Sequence, residues 1–574
     1  MRFPIASAVL VICIAAVAAG IGAIHARLYG HDIFFLLDNG WRALQGQRVH
    51  LDYSSALGPL TFLLVAAGLA VSHGSVAAVS YANALFAAVA GLWSVWLVAG
   101  RSRNFAGVLG PCFVALLAAA PFALGDPPSF TSHGMVYNRY GYVLLTLVLL
   151  ECFQPAGESL ETRSRLWMEP ALTGCAVGLL LFLKVSYFLV AIPLVGAALL
   201  FRSRRYFRIG AHAAGFLVTA FAFFAYLRFD WRAMANDLLM AGSARSGSLG
   251  WGRTTSELLV GGALRAVPLA ALTFWCHRVL RNRAGGESLW RGWCYPVMAV
   301  VVVIGDSLLL LTNAQETSYP LTAGYAVVLL LSVSSMDGVF TRASRLLVVA
   351  AGLMVLPMLL MQIVGLGYGI TEATTNPYPP GVLRFDSPLL RPLVLYDISP
   401  DDPDHFSNGR EYVASVNDGI RLLTRYTNQS DKVATLDMAN PFAFALGRNP
   451  LRGGMAAPAY GYTLNEKHHP PDAWFFGDAS VVMVPKHPAS APRFYDGLLT
   501  IYKPALQKQF HLEAETSWWW LYRRAEEAGV KANARRGFPE NKRQETGVWP
   551  VINHRRETPH AHKCLRGKVE GKCL

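Results

Sequence analysis

The chain has 574 residues, of which 53% are hydrophobic and 15% charged, with a mean hydropathy of +0.33. Soluble globular chains carry about 25% charged residues, so this composition excludes an ordinary soluble enzyme and points to a polytopic membrane protein. The net charge of +14 is not read as nucleic-acid binding. It lies in short loops between apolar runs and in the C-terminal tail, where orientation and lipid headgroups account for it.

In chain order, apolar windows predict about eleven spans: 4–24, 76–99, 105–124, 137–153, 168–184, 185–201, 209–227, 257–277, 294–312, 320–335 and 346–366. The first is read as a retained span and not a cleaved signal, since no small-x-small site precedes His25. Segment 57–72 is apolar but short and begins Gly-Pro, so it is read as an interfacial or re-entrant helix. With the N-terminus inside, the inner loops collect Arg101 and Arg103, Arg163 and Arg165, Arg202 to Arg208, Arg278 to Arg291, and Arg342 and Arg345. Counting 57–72 as a span would put Arg101 and Arg103 outside, against the positive-inside rule. The outer segments are then 25–75, 125–136, 228–256, 313–319 and everything after 366.

Beyond residue 366 the pattern changes. NPYPP at 376–380 and an acidic DISPDDPDH stretch lead into VASVNDGIRLLTRY, an amphipathic helix, and into KVATLDM and ASVVMVPK, two short buried strands. The fold class expected is therefore a polytopic α-helical membrane protein with a C-terminal extramembrane α/β domain. Its parts are a membrane module over 1–366 with a first outer loop at 25–75, the domain over 367–525, and a basic, aperiodic tail over 526–574 read as disordered. Six cysteines lie in or beside apolar segments and two in the tail, and none falls between Leu366 and His560, so no disulfide framework is expected.

Four features could carry chemistry. Asp32, with Asp38 and Asp52 after it, stands just beyond the first span on a short amphipathic segment. On a regular helix Asp38 sits about 240° from Asp32, so the two cannot face one substrate. Asp32 is the candidate catalytic carboxylate, and a solvated loop carboxylate is the plain alternative. Lys184, in GLLLFLKVSYFLV between two apolar runs, could meet a lipid-linked phosphate or snorkel to headgroups. Tyr137, Asn138 and Arg139 open a span on the outer side, and the arginine fork suits phosphate. Asp306, inside a span, has Glu316 and Tyr319 near its outer end and Arg265 as a candidate structural partner. The Gly/Ser-rich 228–256 segment carries Arg245 and Arg253 and reads either as a flap over a phosphorylated lipid or as a plain connector.

A first span, then Asp32, an apolar-aromatic helix, Gly46 and Gly58-Pro59-Leu60 opening an apolar stretch resembles the first outer loop of GT-C-type membrane glycosyltransferases. That superfamily includes protein O-mannosyltransferases and the lipid A aminoarabinose transferase. GLLLFLKVSYFLV resembles the family's Gly-rich span ending in a Lys that meets the donor phosphate, and ETSYPLTAGYAVVLL a later segment. The chain departs from many relatives in having Ile33 after Asp32 and Asn138 where an Asp is common. No DxD-type pair stands out, so neither metal nor cofactor is expected. The resemblance implies transfer of a sugar from a polyprenyl-phosphate carrier to a glycan, lipid or protein acceptor on the outer face of a bacterial inner membrane. The N-terminus would be cytoplasmic and the C-terminal domain periplasmic. In that reading Asp32 is the base, and Lys184, Arg139, Arg245 and Arg253 hold phosphate. Asp38, Asn138, Tyr137, Glu316 and Tyr319 border the substrate, and membrane lipids are the other partners. Two alternatives are an envelope glycolipid transporter or assembly protein, and an O-antigen ligase or polymerase type of enzyme using the Arg245 loop.

Overall fold

The computed structural model describes residues 2–22, 24–28, 30–99, 106–152, 163–202, 204–245, 265–278, 293–313, 317, 319–334, 342–377, 379–397, 409–489 and 492–525. Residues 1–525 form one compact unit. The tail 526–574, Arg253, Glu316 and residues 246–256 of the expected flap lie outside the described residues; the described part of that segment is helical over Trp231–Arg245, which corrects the flap or connector expected there.

A helix occupies each expected span. In order these are α1 (Arg2–Gly20), α4 (Ala78–Ala99), α5 (Ala106–Ala119), α6 (Val136–Cys152), α7 (Arg163–Leu183), α8 (Val185–Leu200), α9 (Arg205–Tyr226), α11 (265–278), α12 (Cys294–Thr312), α13 (Tyr319–Ser334) and α14 (Arg342–Thr375). Six of them are long and apolar enough to cross a bilayer. They leave large apolar side chains such as Ile5, Leu217, Phe221, Ile304 and Leu353 exposed, as a lipid-facing surface requires. The last helix continues to Thr375, nine residues past the expected boundary, because GLGYGITEATT keeps helical backbone without a proline before Pro377.

Between α1 and α4 the chain makes β1 (Ile24–Ala26), α2 (Gly30–Leu44) and α3 (Pro59–Val71). At about 1.5 Å per residue, the 13 residues of α3 reach only some 20 Å, short of the roughly 30 Å hydrocarbon core. Helix α2 carries Asp32 in its first turn and Arg42 in its last, both favourable to the helix dipole. Gly40 lets α2 lie against α3, since a Cβ there would stand 2.5 Å from Val65 Cγ1. Gly58 is required more strictly: a Cβ would meet the Phe182 carbonyl oxygen at 2.1 Å. Its own N–H donates to Leu183 O at 3.0 Å, which seats the loop on the end of α7 beside Lys184.

After α14 the chain returns to that loop. β2 (Leu393–Leu395) pairs parallel with β1, Ile24 opposite Leu393. Then come α15 (Gly409–Tyr426), β3 (Val433–Thr435), α16 (Phe442–Ala445), α17 (Asp472–Phe476), β4 (Val481–Pro485), α18 (Pro492–Gln509), β5 (Phe510–Glu515) and β6 (Trp519–Arg524). The four strands make a mixed sheet in the order β3-β4-β6-β5, with β3 and β4 parallel and the other pairs antiparallel. The expected amphipathic helix and two buried strands are α15, β3 and β4. Val413, Val416, Leu423, Val481 and Trp519 form their core. The sheet region clasps the first loop: Gly453 N donates to Asp52 O (2.6 Å), Ser54 N to Gly454 O (3.0 Å) and Trp474 Nε1 to Ser54 Oγ (3.0 Å).

Candidate active site

Asp32 is buried at 7% exposure. It faces His31 Nε2 at 3.4 Å and the backbone N–H of Met135, the residue before α6. Burial raises the Asp32 carboxyl above the usual carboxylate range, with His31 and the Met135 N–H opposing that rise. Burial likewise holds His31 below its ordinary value against the pull of Asp32 and Asp437, so the imidazole is neutral at pH 7. Tyr137, one residue into α6, lies in electrostatic range of Asp32, Arg245 and Tyr462.

Lys184 breaks the helical run between α7 and α8, with extended backbone at φ −163°, ψ 121°. Its ammonium lies 4.9 Å from the centre of the Tyr137 ring and donates to Asn138 Oδ1 at 3.2 Å. An ammonium can only donate, so Asn138 turns its Nδ2 away, and that buried donor has no partner among the described residues. Lys184 is also the N-cap of α8, where unsatisfied backbone N–H groups add positive potential. Arg245 closes the helix α10 (Trp231–Arg245). Its guanidinium stacks 4.5 Å over the Tyr462 ring, donates to Thr312 O and acts electrostatically on Lys184. Asn313, beside Thr312, accepts from Ser186 Oγ at 3.0 Å and keeps a buried Nδ2 with no partner among the described residues.

The structure thus brings Asp32, Tyr137, Asn138, Lys184 and Arg245 to one place. Two cations, two spare amide donors and a buried carboxylate gather around Tyr137, at the ends of apolar helices. That arrangement can hold a phosphate and take a proton. Sequence reasoning missed Tyr462 and Asn313. Asn313 had a faint signal, a polar residue ending an apolar span; an aromatic in a distant loop had none.

Arg139 does not join the cluster. Nε and Nη2 donate to Phe122 O, and Nη1 donates to Leu117 O (3.1 Å) and Gln362 Oε1 (2.6 Å). Its fork is spent on backbone carbonyls where α5 ends, which corrects the phosphate role expected of it. Asp38 faces another way, as the helical angle required, and pairs with Arg42 at 3.1 Å. Tyr319 donates to Met354 O at 2.5 Å. Asp306 accepts from Thr322 Oγ1 on the next helix. Among the described residues no three His, Cys, Asp or Glu side chains group as a metal site.

No protein-family model matches the chain, and no curated protein matches it. Among solved structures it is similar to ArnT from Cupriavidus metallidurans in the apo state, at 14% identity over 90% of this chain and 97% of that one, with a TM-score of 0.43. The same protein bound to undecaprenyl phosphate gives 14% identity, the same shares and 0.42. The Archaeoglobus fulgidus oligosaccharyltransferase tethered to an acceptor peptide gives 12% identity over 91% and 74%, with 0.40. At these identities and scores the likeness decides neither fold nor function, and the functional reading rests on the residues.

Proposed function

We propose that the chain transfers a sugar from a polyprenyl-phosphate carrier to a hydroxyl-bearing acceptor. The observation that carries this reading is the convergence of Lys184, Arg245 and buried Asp32 on Tyr137, at the ends of apolar helices. Asp32 takes the proton of the acceptor hydroxyl as its oxygen bonds to the anomeric carbon. The bond from that carbon to the phosphate oxygen breaks, and the polyprenyl phosphate leaves with the electron pair. Lys184, Arg245 and the spare amides of Asn138 and Asn313 stabilise the charge that develops. The carrier's tail lies between helices, and Arg139 holds the end of α5 in place. In the same reading all eleven helices cross a bacterial inner membrane with the N-terminus inside, so that 25–75 and the sheet region face the periplasm.

The test is release of label from a panel of radiolabelled polyprenyl-phosphate sugars by the purified full-length protein in lipid. Wild-type turnover with at least one donor is expected. No turnover across the panel, in protein that still binds polyprenyl phosphate, would refute the transfer step.

A further inference from the structure

The sheet region reaches Arg245 through one tightly bonded loop between α16 and α17. Gly461 turns with left-handed backbone (φ 73°), and its N–H donates to Leu464 O at 2.7 Å. Thr463 Oγ1 accepts from Ala459 N (2.9 Å) and donates to Ala457 O (2.8 Å). Asn465 Oδ1 accepts from Lys467 N (3.0 Å) and His468 N (2.8 Å). With Thr463 and Leu464 buried, these bonds fix the backbone that sends two side chains toward α10. Tyr462 lays its ring 4.5 Å from the Arg245 guanidinium. Asn465 Nδ2 donates to Ala244 O at 3.3 Å, one of the last carbonyls of α10, for which a helix has no donor of its own.

Helix α10 is tied at its middle as well, where buried Asp237 Oδ2 accepts from Ser55 N in the first loop at 3.0 Å. Arg245 therefore projects from a helix held at two points. Such a hold is needed, because Arg245 and Lys184 are like charges acting on each other, and fixing a long side chain costs rotamer entropy. An aromatic face offsets both costs: it attracts the cation through the ring and leaves hydrogen bonding to the guanidinium's edge. We propose that Tyr462, with Asn465 beside it, is a positioning residue for the phosphate of a polyprenyl phosphate. The sheet region then holds Arg245 next to Lys184, and its part in the reaction is at the donor's phosphate. That the phosphate belongs to a sugar donor rests on the transfer reading; that Tyr462 holds Arg245 for a lipid-linked phosphate does not.

The experiment is calorimetric titration of the full-length protein in detergent micelles with farnesyl phosphate, and with farnesol to report the chain alone. Tyr462→Leu should weaken binding of farnesyl phosphate about tenfold and leave farnesol unchanged. Tyr462→Phe keeps the ring face and should bind within about twofold of wild type. Arg245→Lys keeps the charge but not the planar fork and should weaken binding as Tyr462→Leu does. It leaves the packing of the sheet region untouched, so it reads the same contact without disturbing the loop. The double variant should bind no more weakly than either single one, since both remove one interaction. Tyr462→Leu binding like wild type would overturn the proposal. So would Tyr462→Phe as weak as Tyr462→Leu, losses that add in the double variant, or no binding of farnesyl phosphate by wild type. The expected binding pattern without turnover of any polyprenyl-phosphate sugar would keep the positioning role and remove the transfer reading. Equal turnover and equal farnesyl phosphate binding in wild type and Tyr462→Leu would do the reverse.

Discussion

Replacing Asp32 with asparagine separates chemistry from stability at one residue. The substitution keeps size and an oxygen for the Met135 N–H but removes the base, and loss of a positioned general base costs about 10²–10⁴ in rate. At about 1.36 kcal/mol per decade this is roughly 3–5 kcal/mol of transition-state stabilisation. Stability should move the other way. Because burial raises the folded-state pKa of Asp32, its contribution to stability is fully present below its unfolded value, about 3.9, and is lost as pH rises through the folded value. The variant carries no such loss, so its advantage over wild type grows from about pH 4 upward. The assay pairs kcat/KM for the labelled donor with the thermal unfolding midpoint at several pH values. Wild-type activity should rise with pH through the elevated Asp32 pKa. Turnover within threefold of wild type, or a variant less stable at pH 7 than at pH 4 relative to wild type, would refute the assignment.

Lys184→Met should lower turnover by about 10²–10³, the scale for removing one stabiliser of developing charge, with the protein still folded by thermal unfolding. Arg139→Met strands the carbonyls of Phe122 and Leu117 and the Gln362 amide, so denaturation should show a loss of roughly 2–5 kcal/mol while turnover per folded molecule holds. Gly58→Ala forces a methyl against the Phe182 carbonyl and should cost about 1–3 kcal/mol, read as a lowered unfolding midpoint. His133 is buried and accepts from Asn83 Nδ2 at 3.1 Å; burial, with the Arg139 charge behind it, depresses its pKa to about 4. Its contribution is present above about pH 6.5 and lost as pH falls toward 4, roughly 3 kcal/mol in all. His133→Gln should flatten that part of the stability profile.

What was legible in the sequence follows from the range of the interactions concerned. Apolar runs of bilayer length are local, and a helix occupies each one. Lys184 was legible because a lysine between two apolar runs is costly wherever it sits. Asp38 was separable from Asp32 because helical geometry over six residues is fixed. Arg139 invited the same logic as Lys184, yet its partners come from the end of α5 and from Gln362 on α14, 223 positions away, and no local pattern reports such a pairing. The β5–β6 hairpin escaped because five of the six β5 residues are partly or fully exposed, which blurs alternation. Tyr462 reaches Arg245 only after the sheet region has folded back on the first loop.

That return has a consequence for biosynthesis. The segment holding Asp32 leaves the ribosome early, but its pairing strand at Leu393–Leu395 and its clasp at Gly453 and Gly454 are made more than 300 residues later. At 5–20 residues per second this is a delay on the order of tens of seconds. Through that interval the carboxylate sits on an unclasped helix without Tyr462 beside Arg245. A nascent chain already threaded into the lipid therefore holds an incomplete site until translation nears its end.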